Sequence, residues 1–181
     1  RASYAEAKVG GINVMTTFKR LLFGVVRVWL GWQWLQAGIH KVGAPAWTGE
    51  NAGAAVAGFV NGAIAKAAGE NPVVQGWYAS FLENFVLPNT KLFGYLVAYG
   101  EVLVGIGLIL GAFTGFAALA GAFMNLNFML AGTLSTNPIL YTAAFIVIAG
   151  IQYAEYYGLD NYLRPKVEHA AIEGVKRLKT R

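Results

Sequence analysis

TFKRLLFGVVRVWLGWQWLQAGI, residues 17–39, and LFGYLVAYGEVLVGIGLILGAF, residues 92–113, decide how the rest of the chain is read. Each is long enough for a helix that crosses a bilayer, which takes roughly 20 apolar residues. Each also carries a charge near its middle, Arg27 in the first and Glu101 in the second. An ion at that depth costs several kcal/mol unless it faces protein or water, so both side chains are candidate functional groups.

Two further apolar runs follow, 116–134 and 139–157. Of the 181 residues 56% are hydrophobic and 13% are charged, outside the usual range for a soluble domain. A soluble bundle needs a polar stripe along each helix, and these runs are apolar nearly all round, interrupted mainly by Gly and Ala. The expected fold is an all-α membrane protein, a four-helix transmembrane bundle. Lys8 precedes the first run and Lys19 and Arg20 stand at its very start, and Arg164, Lys166, Lys176, Arg177, Lys179 and Arg181 follow the last. With an even number of spans both groups share one side, and the positive-inside rule makes it the cytoplasm. The expected organisation is one four-span domain over 1–165, with an exterior helical insertion at 40–91, and a basic cytoplasmic tail at 166–181. It implies a multi-pass protein of the inner (plasma) membrane with both termini cytoplasmic. The net charge of +5 sits mostly in the tail, where it suits anionic lipid headgroups; no nucleic-acid motif accompanies it. The first run is too long, too rich in Trp and too polar at Arg27 for a signal peptide.

The chain has no cysteine, which excludes thiolate chemistry, disulfide exchange and iron-sulfur ligation by this chain. Its two histidines, His40 and His169, fall on opposite sides of the membrane in this topology, so no bis-histidine haem is expected within it. No metal-ligand spacing is visible, and no metal is expected.

The exterior connection is too long for an ordinary loop. Its pattern predicts two amphipathic helices, one capped by Asn51 and running to about residue 67, the other over 73–85 and ended by Pro88. Together they form an aromatic-rich cap over the bundle, serving either as packing or as a lid. Gly24, Gly31 and Gly38 fall near one face of the first span, and Gly105 lies on the face of Glu101. Such glycines allow close helix approach in lipid.

Counted inward from Lys19 and Lys91 at about 1.5 Å per residue, Arg27 and Glu101 reach similar depths. A direct Arg27–Glu101 ion pair is therefore expected, with Asn125 completing a hydrogen-bond network. The pair serves either to lock helix register or to do chemistry. Nearer the outer end, Gln33, Gln36 and His40 form a stripe on the first span, with Asn127 at a similar level on the third. An apolar bundle with a few hydrogen-bonding groups and a protonatable side chain suits a lipid-soluble quinone as substrate. Gln152, Tyr153, Glu155, Tyr156 and Tyr157 read as an interfacial belt at the inner end.

The strings RVWLGWQWLQAGIHKVG (27–43), GWYASFLENFVLPN (76–89), GEVLVGIGLILGAFTGFAALAGAFMNLNFMLAG (100–132) and STNPIL (135–140) resemble the DoxX superfamily, specifically its DoxD-like branch. Arg27, Gly31, Gly38, Lys41, Glu101, Gly105 and Gly111 carry the general pattern, and the exterior helices with AGAFMNLNF carry the narrower one. The resemblance implies a membrane subunit of thiosulfate:quinone oxidoreductase, which couples two thiosulfates into tetrathionate and passes two electrons to quinone. It also implies partner subunits, a DoxA-like one among them, and an anionic substrate arriving from outside, for which Lys41, Lys91 and His40 are cationic candidates near the outer surface. The fold does not fix the chemistry. The competing reading is a non-catalytic accessory subunit packed against a larger respiratory or photosynthetic membrane complex. Transport, a third, lacks a continuous polar path.

Overall fold

Apart from a two-residue strand pair, Lys8–Val9 against Ile12–Asn13, the regular structure among the described residues is all helical. The computed structural model describes residues 8, 9, 12–163 and 165; the basic tail, 166–181, with His169, lies outside the described residues. Helix α1 (Val14–Val42) is opened by Asn13, whose side-chain oxygen accepts from the Thr16 N–H at 3.1 Å. This closes one of the donors that every helix start leaves open. A short turn, α2 (Pro45–Thr48), leads to α3 (Ala54–Ala65) and then α4 (Gly76–Phe81). The remaining helices are α5 (Thr90–Leu110), α6 (Thr114–Leu130), α7 (Asn137–Ala149) and a final turn α8 (Ile151–Ala154).

Helices α1 and α5 run antiparallel, and small residues set their register. A Cβ on Gly38 would stand 2.6 Å from the Val102 nitrogen, one on Gly31 2.9 Å from the Ile109 nitrogen, and one on Gly105 2.5 Å from the Leu35 nitrogen. These backbones therefore touch at the expected glycines, where the absence of a side chain permits the approach. Gly24 does not join them, since its nearest neighbour is Tyr157 at 3.8 Å. Helix α6 returns beside α5, and α7 and α8 close the ring against α1, where Phe23 covers Gly150 and stacks on Tyr153. Leu30, Trp34, Leu108, Ala118, Ala144 and Val147 fill the middle.

The 40–91 segment caps one end of the bundle, called the outer end below, around a second core of Val56, Val60, Val74, Tyr78, Leu82 and Val86. Two details depart from expectation. The residue before α3 is Gly53, at φ +97°, and no side chain caps the helix; Asn51 instead accepts the Ala54 N–H on its backbone oxygen. Gly53 is required because a Cβ there would stand 2.7 Å from the Lys91 nitrogen. Nor does Pro88 end the second cap helix. The chain widens into a π-helical turn, Leu82–Val86, tightens into a 3-10 turn, Leu87–Asn89, and continues into α5. Pro88 stands at the start of the tightened turn, where its missing N–H leaves no gap in the ladder.

The resulting helical run, Gly76–Leu110, spans 35 residues and is long and apolar enough to cross a membrane. Helices α6 and α7, with 17 and 13 residues, are apolar but shorter. Helix α1 has the length, with 29 residues, and owes its lower apolarity to Lys19, Arg20, Arg27, Gln33 and Gln36.

Candidate functional site

Arg27 and Glu101 are both buried, but they do not pair. Glu101 accepts a hydrogen bond on Oε2 from Lys41 Nζ at 2.6 Å, and the carboxylate side chain is 1% exposed against 20% for the lysine. The Lys41 ammonium also sits 5.2 Å from the Trp47 ring centroid, within cation-π range. The register explains the exchange of partners. Positions that meet across α1 and α5 are 38 with 102 and 31 with 109, so Glu101 lies opposite the outer end of α1 and Arg27 opposite the inner end of α5. Counting inward from Lys19 and Lys91 misplaces both, because the helices are staggered: α5 ends near Gly31, which leaves the start of α1, with Lys19, beyond it.

Arg27 serves the inner end. Its Nη1 donates to the carbonyls of Leu108 and of Ile109, the latter at 3.2 Å; these belong to the last turn of α5, whose carbonyls have no partner within the helix. Gly111 ends the helix at φ +63°, and a Cβ there would stand 2.5 Å from that same Nη1. Asp160 supplies the opposite charge nearby. Its carboxylate accepts the N–H groups of Phe113 at 2.7 Å and Thr114 at 2.8 Å, closing the start of α6. This is a capping cluster that knits α1, α5, α6 and the segment after α8 together. Asp160 was not among the expected residues. Its signal is position: it follows the fourth run at the same end as the Gly111–Phe113 turn that Arg27 reaches.

The outer half of the bundle encloses a partly open cavity of about 830 Å³ beneath the cap. Phe59, Phe93, Phe128, Leu82 and Val86 give it apolar walls, and Gln33, Gln36, Lys41, Glu101, Asn125 and Asn127 bring polar groups to it. Six of the eight expected residues therefore border one space. Arg27 is elsewhere, and His40 is exposed and does not line it. Lys91 is exposed at the start of α5 and does not line it either.

Within the cavity wall the polar groups divide in two. Asn127 is occupied: it donates to the Phe123 carbonyl at 2.8 Å, and both its oxygens lie 3.0 Å from the Tyr78 hydroxyl, which ties the cap to α6. Asn125 is fully buried, yet neither its Nδ2 nor its Oδ1 has a partner, and the same holds for Nε1 of Trp34. Trp34 lies over Gly121, where a Cβ would stand 2.9 Å from Nε1. Leaving a buried polar group unpaired costs about 1–3 kcal/mol; these two donors and one acceptor belong to residues that border the cavity, but the atoms themselves are enclosed in its wall, with almost no accessible surface. Trp34 had a legible signal, since it falls on the face of Arg27, Gly31 and Gly38 that packs inward.

The site therefore has one ionic corner, one amide-indole corner and aromatic walls. Its volume falls in the range of small-molecule sites, roughly 300–1,000 Å³. No curated protein and no solved structure matches the chain. The family model described as the TQO small subunit DoxD matches residues 22–178, and on that match, which takes in the bundle, the cap and every residue of the cavity wall, the chain belongs to the DoxD family.

Proposed function

We propose that this chain is a four-span membrane subunit of a thiosulfate:quinone oxidoreductase, and that the outer cavity receives the quinone ring. The membrane reading is supported by the outward faces of α5 and α6, where Leu103, Leu110, Phe116 and Leu119 are exposed; so continuous an apolar surface suits lipid rather than water. The observation that carries the quinone reading is Asn125, a buried amide bordering the cavity with both polar atoms unpaired. A turn of the Asn125 side chain toward the cavity lets a quinone carbonyl accept from its Nδ2 and the quinol formed by reduction donate to Oδ1. Reduction adds two electrons and two protons to the ring, and oxidation of two thiosulfates to tetrathionate releases two electrons. The Lys41–Glu101 pair borders the cavity and stands where it can pass protons to a ring oxygen. Partner subunits bring the thiosulfate chemistry.

The test uses the complex isolated from native membranes. Replacing Asn125 with leucine removes unsatisfied polar atoms from an apolar wall, so the thermal midpoint is expected to hold or rise. Thiosulfate-dependent quinone reduction should lose at least tenfold in kcat/KM. Activity equal to wild type would remove the amide from the site. No turnover in the wild-type complex, with stable co-purification of a larger assembly, would replace this reading with that of an accessory subunit.

A further inference from the structure

Resting on the quinone reading above, we infer that the cavity loads sideways from the lipid, through a window between α5 and α6 framed by Phe85, Leu96 and Phe123. These three side chains border the cavity and yet are 56%, 57% and 67% exposed. A cavity-lining residue is exposed to that extent only where the wall opens. They come from three elements: Phe85 from the π-helical turn above, Leu96 from the outer half of α5, and Phe123 from α6. The frame is entirely apolar, and it is continuous with the outward faces of both helices. Nearer the inner end the two helices close against each other. There a Cβ on Gly107 would meet the Ala117 Cβ at 3.2 Å, while beside the window itself Met124, which borders the cavity, brings Sδ 3.5 Å from a Cβ on Gly100.

Another part of the rim differs in chemistry. Gln36, Ser135 and Thr136 border the same cavity, are also exposed, and are polar. Water and protons reach the ionic corner on that side. A ligand threaded through the α5–α6 window therefore has its polar ring toward Asn125 and Glu101 and its hydrocarbon tail left in the acyl phase. The class of ligand selected is a polar ring on a long lipid tail.

The chain contains no cysteine, so Phe123→Cys offers a single thiol for a bulky, membrane-permeant maleimide. Phe116→Cys is the control, two turns inward on the same face of α6, exposed and away from the cavity. Loading of a long-chain ubiquinone into the complex in lipid nanodiscs is followed by quenching of tryptophan fluorescence, since Trp34 and Trp47 border the cavity. The label at 123 is expected to slow loading at least tenfold, and the label at 116 less than twofold. The equilibrium affinity of the tailless head-group quinone should be unchanged by either label. Equal loading rates with the two labels would overturn the window while leaving the quinone site standing. Lost affinity for the tailless quinone in the 123 conjugate would mean that Phe123 belongs to the binding floor, which also overturns it. No quenching by either quinone in unlabelled protein would overturn both the window and the quinone reading.

Discussion

Replacing Lys41 with methionine is expected to lower folding stability by about 3–5 kcal/mol, the typical cost of leaving one member of a buried ion pair without the other. Glu101 is enclosed, at 1% exposure, and its one salt-bridge partner among the described residues is Lys41. The reverse change should be milder. Glu101→Gln leaves a lysine that is 20% exposed, with Trp47 beside it and water within reach of its long stem. The double variant Lys41→Met, Glu101→Gln should recover much of the loss, because no buried charge remains. Thermal unfolding in detergent of the two single variants and the double variant measures this order. A Lys41→Met protein as stable as wild type, or a double variant worse than either single, would show that the two side chains are not coupled.

The second large effect is expected at Gly105. A methyl group there would meet the backbone of Leu35, 2.5 Å from its nitrogen and 2.7 Å from its Cα, and a backbone cannot rotate out of the way. Gly105→Ala must therefore push α1 and α5 apart, and overpacking of this kind typically costs about 1–3 kcal/mol. Because the same contact sets the height of Lys41 against Glu101, the variant should also weaken quinone binding at a distance from the cavity. Gly58 and Gly62 on the exposed side of α3 provide the contrast. Nothing lies within 4 Å of a Cβ at either position, so alanine there should be neutral or stabilise by roughly 0.5–1 kcal/mol through helix propensity. Thermal midpoints and quinone titrations of the three variants, side by side, separate contact from propensity.

Much of the bundle was legible because its signals are local. The four apolar runs became α1, α5, α6 and the α7–α8 pair, and the small-residue rule picked out Gly31, Gly38 and Gly105 as approach points. Partner choice for the charges was less accessible, since it depends on the height of one helix against another. Placing Gly38 beside Val102 and Gly31 beside Ile109 already brings Lys41 to Glu101 and sends Arg27 to the end of α5. Asp160 was missed because its role arises only when the segment after α8 returns to the Gly111–Phe113 turn. Pro88 misled because a π-helical turn absorbs the irregularity that normally ends a helix. The cavity itself belongs to no single run. It exists because the cap, anchored by Tyr78 on Asn127 and by Lys66 on the Gly132 carbonyl at 3.0 Å, roofs the space between four helices.

The shared floor of Lys41, Glu101, Asn125 and Trp34 is tested most directly by photolabelling the complex with an azido-quinone and mapping the modified peptides by mass spectrometry. Adducts are expected on the segments 33–41, 93–101 and 123–128, and should be suppressed by excess unlabelled quinone. Suppressible adducts confined to the inner half, around Arg27 and residues 105–115, or to another subunit alone, would contradict it.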